Sequence, residues 1–233
     1  MRTAGWHLLV SPVGVLRTEG MPYALDNGAW SAHTQGVTFD AERFELAVAK
    51  LGARADWVVV PDVVADARAT LALAERWLPR LEHRCRRMLV AVQDGMTRDC
   101  VDAWLSTACG IFVGGSTEWK LRTLPYWGDV AAYRGCWLHV GRVNSEKRIV
   151  RCHEAGATSF DGTSATRYAE NIARLDRALL RPHLAFRAPW VWDQVEQRVA
   201  NDLRRLAASP ERAVFFGSLD DDAIARLVAG IVT

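Results

Sequence analysis

Short, continuous apolar runs alternate with helical segments along the chain, and this alternation constrains the fold more than any other sequence feature. Runs that lack interleaved polar residues indicate strands buried on both faces, as in a parallel sheet. We therefore expect an α/β fold, and a (β/α)8 TIM-like barrel in preference to a doubly wound sheet, because no GxGxxG motif follows the first run. The predicted strands are Trp6–Val10, Pro22–Leu25, Trp57–Val60, Met88–Val92, Ile111–Val113, Trp137–Val140 and Ala157–Phe160.

Amphipathic segments between these runs predict the helices, with Asp40 as a cap for the first of them. The eighth strand is the least defined, and Ala213–Phe216 is its candidate. We expect one domain over residues 1–233, with core motifs at 22–167 and a helical C-terminal part at 168–233. The predicted helices are 40–51, 65–81, 98–107, one from Thr117 interrupted near Pro125, 145–154, 168–180 and 189–208.

Length and composition limit the number of domains and the classes of protein that the sequence can represent. A chain of 233 residues with a net charge of +2 fits a single barrel domain, and any nucleic-acid site must be a local patch. No uncharged run of about 20 apolar residues is present, so we expect no membrane span. The N-terminus does not resemble a signal peptide, and the five cysteines lack CxxC spacing, which together predict a cytoplasmic protein (in the host cytoplasm if phage-encoded) without a cysteine-rich metal site.

Polar residues and glycines follow the predicted strands, where they would meet at one mouth of a barrel. Carboxylates and a carboxamide there match the hydrogen-bonding edges of a guanine-like base, and a further carboxylate is suited to attack a sugar carbon. The residues at these strand ends are Asp26, Asp62, Gln93, Gly114, Gly115, Gly141, Arg142 and Asp161.

Each of these residues also has a structural interpretation. Asp161 is suited to cap the next helix, Asp26 and Asp62 lie in turn sequences, and Gly114–Gly115 suits tight strand-to-helix packing. Trp30 fits ordinary core packing equally well. The basic residues near the strand ends fit either a solvated helix face or contacts to a nucleic-acid backbone; they are Arg142, Lys147, Arg148 and Arg167. We interpret His139, Cys152 and His153 as structural.

The motifs at these strand ends resemble those of the tRNA-guanine transglycosylases, in both order and approximate spacing. Among that superfamily the similarity is greatest to the DNA-acting enzymes of phages and bacteria that place 7-deazaguanines in DNA. The similarity covers about residues 22–167, and its most specific pieces are the Gly-Gly turn and the Phe-Asp…Thr-Arg segment. The matching motifs are Leu25-Asp26-Asn27-Gly28-Ala29-Trp30, Pro61-Asp62, Val92-Gln93-Asp94-Gly95, Val113-Gly114-Gly115, Val140-Gly141, Phe160-Asp161 and Thr166-Arg167.

The resemblance implies a role for each matching residue. Asp161 would be the nucleophile that forms a covalent glycosyl–enzyme intermediate, and Asp26 the general acid and base. Asp62 would read the N1–H and 2-amino edge of the base, while Gln93 and the Gly115 N–H hold O6. Trp30 and Val140 would sandwich the ring, and Gly114, Gly115 and Ser116 would line the pocket. No cofactor is implied.

One departure from the family bears on the substrate. The tRNA-acting enzymes carry a zinc site of three cysteines and a histidine after the nucleophile, whereas no cysteine follows Cys152 here. We therefore expect no zinc subdomain and no bound metal. Ser116 and Thr117 replace an apolar pair that receives the 7-substituent, which leaves the incoming base undefined.

The expected function is replacement of guanine in DNA by a 7-deazaguanine such as preQ0. The same exchange on tRNA is the first alternative. The second is a non-catalytic paralogue that binds nucleic acid or a partner, although such a protein would not need Asp26, Asp62 and Asp161 together. Assembly as a homodimer is left open.

Overall fold

The computed structural model describes residues 6–163 and 168–180, which belong to one compact unit. Seven parallel strands, joined in the order in which they follow along the chain, form a sheet that curls into a half-barrel. The strands are β1 (Leu8–Val10), β2 (Tyr23–Leu25), β3 (Val58–Val59), β4 (Met88–Val92), β5 (Cys109–Val113), β6 (Leu138–Val140) and β7 (Ser159–Phe160).

Six α-helices lie among the described residues. The helices are α1 (Ala29–Gln35), α2 (Ala41–Leu51), α3 (Ala67–Leu81), α4 (Thr117–Arg134), α5 (Glu146–Glu154) and α6 (Ile172–Leu180). Asp40, Asp66 and Ser116 cap α2, α3 and α4, because each side chain accepts a hydrogen bond from the backbone three residues later.

Side chains on the two faces of the sheet belong to two apolar layers, as the two-residue period of a strand requires. One face packs with the helices into the main core, where Val90, Ile111 and Leu138 meet Phe44 and Trp127. The concave face carries a smaller cluster; its members are Ala24, Trp57, Val59, Leu89, Phe112 and Trp137. This double burial explains why the strands read as continuous apolar runs.

The strand predictions agree with the sheet, and Met88–Val92 is correct at both ends. Cys109 and Gly110 extend β5 beyond its predicted start. Other strands are shorter than predicted, because the parallel pairing covers only part of each apolar run; β3, for example, pairs with β4 at Val58 and Val59 alone.

The predicted closed (β/α)8 barrel is present in the described residues only as the seven-stranded half-barrel. Three sequence predictions lie outside the described residues: the strand at Ala213–Phe216, the helix at 189–208 and Arg167. Residues 169–171 begin the predicted 168–180 helix as a 3₁₀ turn, and α6 completes it.

Two helix predictions were wrong. The segment predicted as a helix over 98–107 is a 3₁₀ turn at Arg98–Cys100 followed by non-helical turns. Helix α4 was expected to break near Pro125, but it continues through that residue to Arg134. Helix α1 was not predicted, because it has only seven residues and contains Ser, His and Thr, which are weak helix formers.

Candidate active site

The curl of the sheet gathers the carboxyl ends of all the strands on one rim. Asp26 follows β2, Asp62 follows β3, Gln93 follows β4 and Asp161 follows β7. Strands β2 and β7 are not neighbours in the sheet, yet the charge of Asp161 acts on Asp26. The rim therefore brings together the three carboxylates that the sequence singled out.

Asp62 is a buried carboxylate held by two amide side chains. Asn27 Nδ2 donates to its Oδ1 at 2.6 Å, and Gln93 Nε2 donates to its Oδ2 at 2.6 Å. Burial raises the pKa of Asp62 to about 6, although these two hydrogen bonds and the charge of Arg142 oppose the rise. A carboxylate offers about four lone-pair positions, so each oxygen can still accept from a ligand.

Gln93 has a fixed amide orientation. Its Oε1 accepts from the backbone N–H of Ala65 at 3.1 Å and of Gly115 at 2.9 Å, so its Nε2 must point at Asp62. The sequence assigned the Gly115 N–H to a base carbonyl, but in this structure that N–H holds Gln93. The second hydrogen of Gln93 Nε2 is the donor that remains for a ligand.

The Gly-Gly turn after β5 has a steric requirement for glycine. A Cβ on Gly114 would lie 2.9 Å from Gln93 Nε2, and a Cβ on Gly115 would lie 2.5 Å from Asp94 Oδ2. Gly115 also has a φ of +67°, which L side chains rarely adopt. The turn therefore lets the backbone approach the Asp62–Gln93 network closely.

Ser116, predicted to line the pocket, is exposed and bound to Asp94. No role was predicted for Asp94 from the sequence. The backbone N–H and the hydroxyl of Ser116 each lie 2.6 Å from a carboxylate oxygen of Asp94. Burial alone would raise the pKa of Asp94, but these hydrogen bonds outweigh it and lower that pKa. Asp94 thus fixes the start of α4 beside the rim.

Asp26 is the carboxylate with the ionisation best suited to proton transfer. Burial is the largest cause, followed by the charges of Asp161 and Asp62, and together they raise the pKa of Asp26 to about 7. A general acid or base works best when its pKa lies near the working pH. Asp26 can therefore donate and accept a proton near neutral pH.

Asp161 is partly buried, and one of its oxygens is bound from two sides. Its Oδ1 lies 3.1 Å from His139 Nε2 and 3.2 Å from the backbone nitrogen of Arg142. His139, interpreted from the sequence as structural, is buried between Trp57 and Phe112 and touches the predicted nucleophile. A histidine flanked by apolar strand residues gave no sequence signal for this contact.

Arg142, predicted to contact a nucleic-acid backbone, contacts other residues of the rim in this structure. Its guanidinium stands 4.1 Å from the centre of the Trp30 ring and donates to the carbonyl oxygen of Gly115. Its φ of 60° is uncommon for a residue with a side chain. Arg142 therefore covers a face of the Trp30 ring, which was predicted to stack on a base.

Val140 and Lys120 lie beneath the rim. Val140, predicted to sandwich the base with Trp30, is buried in the core between the sheet and the helices. It lines a small cavity with the buried Lys120, which the sequence reading missed. Burial, then the charge of Arg142, lowers the pKa of Lys120 to about 8, and its ammonium group donates to the carbonyl of Gly141.

The other predicted backbone contacts lie on α5 or beyond the described residues. Lys147 is exposed, whereas Arg148 is partly buried and donates to the carbonyl of Arg142 at 3.3 Å. Arg167 lies outside the described part of the chain. Within residues 6–163 and 168–180, no three His, Cys, Asp or Glu side chains are grouped to hold a metal ion.

No protein-family model matches the chain, and no curated protein matches it significantly. Among the helices that the structure describes, none has the length and hydrophobicity needed to cross a bilayer.

Proposed function

We propose that this protein exchanges a guanine in DNA for a 7-deazaguanine through a covalent intermediate on Asp161. One observation carries the proposal: Asp26, Asp62 and Asp161 share one rim, where the other two charges help to raise the pKa of Asp26 to about 7. A stable fold has no need of three carboxylates on one rim whose charges oppose the ionisation of Asp26, whereas acid–base and nucleophilic chemistry does. We also infer that the half-barrel is part of a complete TIM-like barrel.

Recognition of the base is assigned to Asp62 and Gln93. The N1–H and 2-amino groups of guanine are adjacent donors, and the free lone pairs of the Asp62 carboxylate accept from both. Asn27 and Gln93 hold that carboxylate in place at 2.6 Å each. The remaining hydrogen of Gln93 Nε2 is suited to the O6 carbonyl.

The exchange then takes two displacements at C1′ of the sugar. The Asp161 carboxylate bonds to C1′, the C1′–N9 bond breaks, and Asp26 as the acid gives its proton to the departing guanine. Asp26, now ionised, takes the N9 proton of the incoming base, whose nitrogen attacks C1′. The ester bond breaks and returns the carboxylate of Asp161. Two inversions restore the original configuration, as in retaining glycosidases.

Arg142 and Trp30 control the space that the base must enter. The guanidinium covers the Trp30 ring at 4.1 Å. A base that stacks on Trp30 therefore displaces Arg142 from the ring. The released guanidinium can pair with a nucleic-acid phosphate, the contact that the sequence reading assigned to it.

DNA is proposed over tRNA because the chain carries no cysteine after Cys152, and hence lacks the zinc ligands of the tRNA-acting enzymes that it resembles. A base paired within a duplex cannot reach the rim, so the substrate is a flipped or single-stranded nucleotide.

Incubation of the full chain with radiolabelled guanine and either DNA or tRNA tests the proposal. We expect label to enter DNA and not tRNA, and the Asp161→Asn variant to incorporate none. Label in tRNA alone would reassign the substrate. Label in neither, from folded protein over a range of DNA sequences and strandedness, would contradict base exchange.

A further inference from the structure

The two oxygens of Asp161 have different surroundings. Oδ1 receives hydrogen bonds from His139 Nε2 and from the backbone N–H of Arg142, whereas Oδ2 has no hydrogen-bond partner among the described residues. We propose that His139 is a positioning residue that anchors Oδ1 and leaves Oδ2 as the oxygen that attacks the sugar. This assignment rests on the proposed base exchange.

The hydrogen bonds around His139 determine which ring nitrogen carries the hydrogen. An ionised Asp161, as a nucleophile must be, can only accept, so His139 Nε2 must donate. Trp137 Nε1, which can only donate, lies 2.8 Å from Ser159 Oγ and occupies one lone pair of that hydroxyl. The Ser159 hydrogen is then available for His139 Nδ1, which lies 2.8 Å away.

In this arrangement every donor meets an acceptor with His139 neutral. A doubly protonated ring would instead make Ser159 accept from both Trp137 and His139, and the hydrogen of Ser159 would have no acceptor within the described part of the chain. The sequence Trp137–Ser159–His139–Asp161 thus forms a directed chain of hydrogen bonds from the concave face to the rim. It specifies the neutral tautomer with hydrogen on Nε2.

Packing fixes the plane of the ring as well. The ring centres of Trp57 and Phe112 lie 4.4 and 4.9 Å from that of His139, and Phe112 is nearly parallel to it. The imidazole is fully buried between them. It therefore cannot swing away from Asp161 without displacing two aromatic rings.

The second donor to Oδ1 belongs to a peptide that is itself held. The carbonyl of the Gly141–Arg142 peptide accepts from the Lys120 ammonium, and the N–H of the same peptide points at Asp161. The positive end of the peptide dipole thus faces the carboxylate, with a cation behind it. Both anchors lie on Oδ1, so rotation of the carboxylate would break them together.

An anchored carboxylate gains in reactivity from orientation, because displacement at carbon requires a narrow approach angle. A misplacement of about 1 Å can cost on the order of 10²-fold in rate. The anchor costs little nucleophilicity if it binds only the oxygen that does not react. It should therefore affect the rate of ester formation while leaving base binding unchanged.

The tautomer can be measured without any substrate. In ¹⁵N-histidine-labelled protein, long-range ¹H–¹⁵N spectra at neutral pH distinguish a protonated from an unprotonated ring nitrogen, and His139→Gln identifies the signals. We expect a protonated Nε2 and an unprotonated Nδ1 at His139. We expect Ser159→Ala, which removes the partner of Nδ1, to mix the two tautomers.

Matched variants then test the effect on chemistry in single-turnover reactions with DNA. His139→Gln retains a donor near the Nε2 position, whereas His139→Leu fills the space without one. We expect the leucine variant to form the covalent adduct on the order of 10²-fold more slowly than wild type, with an unchanged Kd for guanine. The glutamine variant should retain most of the rate.

The outcomes distinguish the anchoring of Asp161 by His139 from the proposed base exchange. A neutral ring with hydrogen on Nδ1, or a folded leucine variant that forms the adduct at the wild-type rate, would overturn the assignment of His139. The predicted tautomer in a wild-type protein that forms no adduct would support the anchoring of Asp161 and contradict base exchange. If the leucine variant does not fold, Ser159→Ala takes its place. Slower adduct formation with unchanged guanine binding would then support the role of His139, and adduct formation at the wild-type rate would overturn it.

Discussion

Three ionisable residues at or beneath the rim, Asp26, Asp62 and Lys120, lie where burial opposes their charged forms. Burial is the largest cause of the pKa shift for each, towards about 7, 6 and 8 respectively. Each of these burials costs stability at the pH where the group is charged, a common feature of functional sites. Single substitutions can therefore separate what each residue does for function from what it costs the fold.

Asp26→Asn should make stability less dependent on pH. The pKa of Asp26 is raised in the folded state, so between about pH 4 and pH 7 the folded protein binds more protons than the unfolded one, and stability falls as pH rises. The variant lacks this loss. We expect its free energy of unfolding relative to wild type to increase between pH 4 and pH 7, measured by urea denaturation at each pH. A difference that stays constant would contradict the burial of a charged Asp26.

Asp62→Asn should weaken guanine binding, because its amide presents a donor to the donors of the base. An unmet donor of this kind costs roughly 1–3 kcal/mol, or about one to two orders of magnitude in Kd. Wild-type affinity should also fall as pH drops through about 6, where Asp62 takes a proton, and the variant should lack this step. Calorimetry from pH 5 to pH 8 measures both; unchanged affinity would remove Asp62 from the base site.

Lys120→Met should reveal the cost of the buried ammonium group. The pKa of Lys120 is lowered in the folded state, so between about pH 8 and pH 10.5 the unfolded state binds more protons and wild-type stability gains as pH rises. Relative to the variant, wild type should gain roughly 1–3 kcal/mol over that interval. Chemical denaturation at pH 7 and pH 10 measures the difference in free energy of unfolding between wild type and variant. The same difference at both pH values would show that Lys120 is not buried as a cation.

At the scale of elements, the segment between β4 and β5 shows what sequence periodicity could not predict. Its apolar spacing suggested a helix, but Asp102 accepts from Arg98 Nε at 2.7 Å and from Arg134 Nε at 2.8 Å. These contacts tie the segment to α4 and favour a turn. Conversely, α4 continues through Pro125 because its buried face, with Trp119, Leu124 and Trp127, packs on the sheet regardless of one lost backbone hydrogen bond.

Asp102→Ala should therefore loosen the connection between this turn and α4. We expect a loss of about 1 kcal/mol in the free energy of unfolding, since the two ion pairs are partly exposed but join the Asp102 carboxylate to two guanidinium groups, those of Arg98 and Arg134. Glu118→Ala is the matched control, because the Glu118–Arg122 pair is exposed and its ions are 3.6 Å apart. Urea denaturation compares the two, and an equal effect of both variants would show that the Asp102 contacts are not a specific link.

At the scale of the whole molecule, the sequence predicted the parallel strand order and the shared rim, because continuous apolar runs and polar strand ends are local signals. The hydrogen-bond networks on the rim were not predictable in this way. Gln93 binds Asp62 and Gly115, and Arg142 covers Trp30, only because the curl of the sheet brings distant strand ends together. His139 and Lys120 were missed because a single polar residue in an apolar strand or helix carries no periodic signal.

The central claim is that the carboxylate of Asp161 forms a covalent bond to the sugar, and trapping tests it most directly. Wild-type protein is incubated with DNA and a slowly released guanine analogue, then separated on a denaturing gel. We predict a denaturant-resistant protein–DNA adduct in wild type and none in Asp161→Asn, although the variant still folds and binds guanine. An adduct of equal yield in Asp161→Asn would place the nucleophile elsewhere and contradict the account.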